Sequence, residues 1–352
     1  MHILDDQNYI ARFDSQHALA VAAAEPDQLQ FAADIQQPAV QAFQPKQIVV
    51  TGMGGSALAA GLAKSWLNLP LPFEIVRTYA LPQYVGAESL VIVSSYSGNT
   101  EETLGALADA ETRQAHIIVL TSGGKLLEAA KQKGYPYVQL PDNLQPRMAV
   151  FYNLKALLRI FEATLVFPNV DFKNKIDELS GAVAWLNTQV QQWTAAQPTD
   201  QNLAKQLAEK VVGKTVVIYA GPLMAPVAYK WKISFNENAK NLAFWNELPE
   251  FNHNEFIGWS SHPIEKPFAV FDLVSNFEHQ RILKRFEVSD RLLSGLRPKA
   301  MRVDLQGATP LQQMLWGAVL ADFVSIYTAL LNGVNPTPVA LIEKLKVALA
   351  KS

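Results

Sequence analysis

Residues 236–259, NENAKNLAFWNELPEFNHNEFIGW, bring Glu237, Glu247, Glu250, His253 and Glu255 into one short stretch interleaved with phenylalanine and tryptophan. Moving protons near neutral pH needs groups that titrate there, and an aromatic, partly dry setting can raise a glutamate toward that range. Glu237 and His253 are the pair such chemistry would use. The residue types alone also fit a solvated helix glutamate and a capping or core histidine. Arg147, in LQPRMAV, is a third candidate: it follows the last strand of the first half of the chain and precedes a helix. A guanidinium fixed there would stabilise developing negative charge, although a surface arginine beside a helix start has the same local sequence.

Two loops have the composition of an anion cradle. In IVVTGMGGSALAAGLAKSW a strand, Ile48 to Thr51, runs into a glycine-rich turn, Gly52 to Gly55, and then into a helix that Ser56 can help open. In open α/β sheets ligands sit at the carboxyl ends of strands, where a helix N-terminus offers free N–H groups and partial positive charge. The spacing matches neither GxxxxGK[ST] nor a good GxGxxG, so nucleotide binding is not indicated. The second loop, VIVSSYSGNTEETL, places Ser95, Ser97 and Thr100 around Gly98, ahead of a helix with Glu101 and Glu102 in its first turn. An ordinary N-cap needs one hydroxyl, so Ser95 and Ser97 are left available for a phosphate.

The surrounding periodicity is that of alternating strand and helix. Short apolar runs predict strands at Gln47 to Thr51, Phe73 to Arg77, Leu90 to Ser94, His116 to Leu120 and Tyr137 to Leu140. Helical spacing lies between them at 57–67, 101–110 and 125–133. That pattern predicts a doubly wound α/β domain with a parallel sheet and helices on both faces. Met148 to Leu165 and Lys173 to Trp193 read as a connecting helical hairpin. A second α/β cycle begins at Lys214 to Ala220, continues with a helix from Val227 to Asn238, and has strands at Lys240 to Trp245, Phe268 to Leu273 and Ala300 to Val303. Helices at Leu311 to Leu331 and Thr337 to Lys351 end the chain. The expected domains are therefore 1–160, a helical linker at 161–200, and 201–352.

Composition narrows the function class. With a formal net charge of -2 and no basic run, the chain is not built to neutralise a nucleic-acid backbone. It contains no cysteine, which removes disulfides, thiolate metal sites and a cysteine nucleophile. His253 and His262 do not stand at metal-ligand spacing, so neither a metal nor an organic cofactor is expected. The N-terminus lacks the basic and apolar regions of a secretion signal, and no apolar run approaches the roughly 18–20 residues of a membrane span. A soluble cytoplasmic protein with no membrane partner is the expectation.

GMGGS followed by SYSGNTEET resembles the signature of the sugar-isomerase (SIS) domain family. NENAK, ELPEFNHNE and GVNPTPVALIEKLK resemble the second half of the bifunctional phosphoglucose/phosphomannose isomerases. The resemblance runs from Ile48 to about Lys346 and implies two SIS domains and a phosphorylated sugar as ligand. It assigns Ser56, Ser95, Ser97 and Thr100 to the phosphate, with Gly54 and Gly55 beside them. It also implies Glu237 as the base working between C1 and C2, and Arg147 as the group stabilising an enediolate. His253 would open the ring from across a homodimer interface, assisted by Lys344, and Thr337 would help accept either configuration at C2. A two-residue slip would exchange Lys344 for Lys346. The alternatives are an SIS isomerase acting on an amino sugar or a pentose phosphate, and a non-catalytic phosphosugar sensor.

Overall fold

A computed structural model describes residues 2–37, 42–260 and 267–349; His262 lies outside them. The chain divides into two compact units, one of Ala24–Asn187 and one of Met1–Ala23 with Thr188–Ser352. The expected boundaries change accordingly: residues 161–187 go with the first unit, while 188–200 and the N-terminal 23 residues go with the second. Asp5 explains the N-terminal assignment, since its Oδ1 accepts from Thr199 N (2.9 Å), Thr199 Oγ1 (2.8 Å) and the buried Lys205 Nζ (3.0 Å). The helices α1 (Gln7–Phe13) and α2 (Ala18–Ala23) follow it, and the Tyr9 hydroxyl of α1 donates to Leu330 O at 2.8 Å.

The first unit contains β1 (Ile35–Gln36), β2 (Gln47–Thr51), α3 (Gly54–Leu67), β3 (Phe73–Val76), β4 (Ser89–Ser94), α4 (Glu101–Thr112), β5 (His116–Thr121), α5 (Gly124–Lys133), β6 (Tyr137–Gln139) and α6 (Val150–Thr164). Its sheet order is β1-β6-β5-β4-β2-β3, parallel except for β1, which pairs antiparallel with β6. The sheet is thus mixed rather than purely parallel. β4 is buried at every position, as a central strand covered on both faces must be. On one face Val49, Val91, Val93 and Val119 meet Ala106, Leu107 and Ala110 of α4 and Leu126 and Ala130 of α5. Across the sheet α3 packs against α6, and the Phe73 and Phe161 rings meet edge to face. Far from being a linker, α6 is core to this unit, and Lys155 on it donates to Ser180 Oγ of α7 (Phe172–Val190) at 2.7 Å.

The second unit contains α8 (Leu203–Glu209), β7 (Thr215–Ala220), α9 (Ala225–Glu237), β8 (Ala243–Glu247), α10 (Glu255–Gly258), β9 (Phe268–Val274), α11 (Gln280–Leu292), β10 (Met301–Asp304), α12 (Pro310–Leu331) and α13 (Ala340–Leu349). Its parallel sheet has the order β10-β9-β7-β8. One face carries Ile282 and Phe286 of α11 with Phe251 and Trp259; the other carries α9, whose Trp231 and Phe235 pack on Phe271. Behind α9 lies α12, 22 residues long with an 18-residue stretch of mean hydropathy 1.7, long and apolar enough to cross a membrane by composition. That corrects the expectation of no such run, yet nearly every residue of α12 is buried within the unit, as in a central core helix.

Candidate active site

Three βα turns of the first unit meet at the carboxyl edge of its sheet. The turn after β2 opens α3, whose N-cap residue, Met53, makes no side-chain capping bond. The turn after β4 opens α4 from Thr100, whose side chain likewise does not cap it. Helix N-terminal N–H groups left in this way favour an anion. Ser56 is buried in the first turn of α3, and its Oγ accepts from Tyr96 N at 3.2 Å, joining the two loops. Ser95, also buried, accepts from Gly98 N at 3.1 Å and shares a 2.8 Å hydrogen bond with Thr100 Oγ1. Ser97 stands on the exposed lip and accepts from Asn99 N at 3.4 Å. Gly98 has φ +70°, and a Cβ there would lie 1.7 Å from Gly123 O, so only glycine allows the β4 and β5 loops to interlock.

Arg147 reaches the same edge on the 3-10 turn Pro146–Met148. It is 2 % exposed, and its Nη1 donates to Gln145 Oε1 at 3.3 Å. Gly55 fixes this approach, because a Cβ at 55 would sit 2.3 Å from Pro146 O. Gly54, with φ +50°, supplies the left-handed step just before it. Two residues without an assigned role in the sequence reading hold the loop. The Tyr96 hydroxyl donates to Pro141 O (2.8 Å) and accepts from Leu144 N (3.2 Å), and Gln28 Nε2 donates to Met148 O (2.6 Å). Tyr96 lies inside SYSGNT and was legible as part of that motif; Gln28 carries no such signal. Gly54, Gly55, Ser56, Ser95, Thr100 and Arg147 thus gather at one edge, with Ser97 on its rim.

Glu237, in the second unit, is the last residue of α9 and is half-buried. The turn carrying it is anchored from inside. Asn238 donates to Asp322 Oδ1 (3.3 Å) and Ser325 Oγ (2.9 Å), Ser234 Oγ donates to the same Asp322 oxygen (2.8 Å), and Lys230 Nζ stands 2.6 Å from Asp322 Oδ2. An ion pair this buried adds little net stability, but removing one partner would strand a charge among α9 and α12. Thr337 comes near this turn through the loop that precedes it: Lys240 Nζ donates to Glu237 O at 2.9 Å and to Pro336 O at 2.8 Å.

His253 is not brought to Glu237. Because α9 runs back from the carboxyl edge of the sheet, Glu237 lies at the amino edge, next to the start of β8, where Asn236 Oδ1 accepts from Ala243 N at 2.9 Å. His253 is exposed on the 3-10 turn Glu250–His253 beyond the other end of β8. At about 3.3 Å per residue the five residues of β8 separate them by roughly 17 Å. Lys344 is exposed on α13, two residues before Lys346, which pairs with Glu343 at 2.9 Å.

The first βα turn of the second unit, after β7, is already filled. Glu278 is buried there, its Oε1 accepting from Met224 N at 3.2 Å, and a Cβ on Gly221 would fall 2.3 Å from its carboxyl carbon. Burial pushes the Glu278 carboxyl up to about 7, against the pull of the Met224 and Leu223 N–H groups and with a further push from Glu247. Glu247 itself is raised by burial and by Glu250. The folded state therefore holds a proton that the unfolded chain releases above its ordinary value near 4.5, and stability falls as pH rises from there to about 7. Glu278→Gln is expected to raise the thermal midpoint over wild type by a margin that grows from pH 5 to pH 8. A margin constant across that range would contradict the assignment.

A match to the SIS domain covers residues 42–130, and a match to the family described as bacterial phospho-glucose isomerase C-terminal SIS domain covers 200–349. A bifunctional phosphoglucose/phosphomannose isomerase of Caldicellulosiruptor bescii is 35% identical over 333 residues, 93% of this chain and 97% of that protein. The chain belongs to the bifunctional phosphoglucose/phosphomannose isomerase family. Relatives of that family also include a D-glucosamine-6-phosphate 4-epimerase of Sulfolobus acidocaldarius, 35% identical over 217 residues, 61% of this chain and 65% of that protein. Among solved structures, a glucose-6-phosphate isomerase like protein from Thermus thermophilus superposes with a TM-score of 0.64 at 19% identity, covering 97% of this chain and 99% of that one. The likeness bears out the expected pairing of two SIS-type α/β units.

Proposed function

We propose that the protein is an aldose–ketose isomerase that interconverts glucose 6-phosphate and mannose 6-phosphate with fructose 6-phosphate, without a metal or organic cofactor. The observation that carries this reading is family membership over nearly the whole chain. The gathered hydroxyls of Ser56, Ser95 and Thr100 beside buried Arg147 support it. These hydroxyls, with Ser97 and the N-termini of α3 and α4, hold the phosphate dianion. His253, assisted by Lys344, protonates the ring oxygen as the C1–O5 bond breaks and the C1 hydroxyl loses its proton, giving the open aldehyde. Glu237 takes the proton from C2, and the electron pair moves through C1 onto O1 as an enediolate beside Arg147. Return of that proton to C1, with transfer of the proton on O2 to O1, leaves the ketone and the C1 hydroxyl. Both aldoses converge on one enediolate, and Thr337 accommodates either configuration at C2.

The working form in this reading is a homodimer. Glu237 and His253 of one chain lie at opposite ends of β8, which supports a second copy supplying the histidine. Exposed Ile257 near His253, Phe244 on the edge strand β8, and Leu341 and Leu345 on α13 give a second copy apolar surface to cover. Purified protein given each aldose phosphate in excess EDTA is expected to form fructose 6-phosphate from both. No product from either would end the proposal. The epimerase relative favours one parallel arm: consumption of glucosamine 6-phosphate, with no fructose 6-phosphate from the aldoses, would move the assignment to an amino-sugar phosphate.

A further inference from the structure

Lys240 closes the NENAK segment and takes no part in the chemistry above. Its backbone has φ +52°, the left-handed conformation in which helices commonly end on glycine or asparagine and which strains other residues. What a lysine supplies at that position is its ammonium. Nζ lies 2.9 Å from Glu237 O and 3.3 Å from Asn238 O, at the negative end of α9. It also lies 2.8 Å from Asn335 O and 2.8 Å from Pro336 O, in the loop that leads directly into Thr337. That loop is closed on itself, since Asn335 Oδ1 accepts from Thr337 N at 2.9 Å. Three ammonium protons face four carbonyls, so at least one is shared, and the ammonium meets backbone oxygens of two segments at once.

We propose that Lys240 is a positioning residue that fixes the turn bearing Glu237 against the loop bearing Thr337, and thereby sets the balance between the two C2 epimers as substrates. A point charge tying two backbone segments controls their separation more than their existence: α9 is held independently by the Asp322 network. Loss of the ammonium should therefore leave the fold and the phosphate contacts in place while changing where the base stands relative to C2. Displacements of about 1 Å in a base commonly cost up to 10²-fold in rate. The effect should differ between glucose and mannose phosphates, whose C2 hydrogens point in opposite directions. This inference rests on the isomerase reading of Glu237 and Thr337.

The test is Lys240→Met in the full chain, with kcat and KM measured separately on glucose 6-phosphate and mannose 6-phosphate beside a thermal unfolding scan. The expected result is a change of about fivefold or more in the ratio of the two kcat values, KM within about threefold, and substantial recovery of the wild-type ratio in Lys240→Arg. Asn335→Ala, which removes the Thr337 N–H acceptor together with the 3.0 Å bond from Asn335 Nδ2 to Ser15 Oγ, should shift the ratio too and carries the test should the methionine variant not fold. Equal losses on both substrates, or an unchanged ratio in the folded variants, would overturn the proposal. A wild-type protein inactive on both aldoses would instead remove the isomerase reading itself, so the two failures are distinct.

Discussion

Glu237→Gln is expected to lower kcat on glucose 6-phosphate and mannose 6-phosphate alike by roughly 10³-fold, within the range general-base removal produces. The amide keeps the size of the side chain and its place at the end of α9, but it cannot take a proton from carbon. KM should stay within about threefold, because the proposed phosphate contacts of Ser56, Ser95, Ser97 and Thr100 lie elsewhere and are unchanged. Ser234, Asn238 and Lys230 anchor this turn to Asp322 and are all kept in the variant, so the fold should persist, checked by a thermal unfolding scan. Stopped assays of fructose 6-phosphate on both aldoses decide the matter, and a variant with near-normal turnover would remove Glu237 from the mechanism.

Mixed dimers give the second large effect. Glu237→Gln and His253→Ala are each expected to be nearly inactive as homodimers. In a heterodimer of the two, purified through different tags, one site inherits both damaged residues and the other inherits neither. The expected rate is about half that of wild type, as two-fold symmetry requires when each site draws on both chains. If both residues instead came from one chain, no site would be intact and the heterodimer would stay inactive. An inactive heterodimer would therefore return His253 to the same chain as Glu237, despite the length of β8 between them.

The sequence reading found β2 to β6 within about one residue because each is a short, largely apolar run; β4 has the pattern of a strand buried on both faces, while β3 and β6 carry exposed Glu74 and Gln139. β1 escaped it: two residues, Ile35 and Gln36, have no period to detect, so the sheet was expected to be parallel. α11 escaped for the opposite reason, since in QRILKRFEVSDRL only Ile282, Phe286 and Ser289 are buried and charge dominates the rest. The compact units are divided differently from the expected boundaries because Asp5 acts on residues almost two hundred positions away, and no local pattern encodes that reach. In the candidate site, glycine and hydroxyl motifs announced the two loops that meet at the carboxyl edge of the first sheet. Their supports did not announce themselves: Gln28 is an ordinary glutamine until Met148 O is seen beside it. The spacing of 16 between Glu237 and His253 suggested proximity, whereas a helix end and a strand end lie on opposite sides of a sheet.

Glu278 gives the duplicated architecture an asymmetry with consequences for ligand stoichiometry. The turn after β7 has the position that attracts anions in such folds, yet the protein's own Glu278 already sits there and takes the Met224 and Leu223 N–H groups. In the proposed reading the described residues thus offer one seat for the charged tail of a sugar, and a titration should saturate at one equivalent per polypeptide.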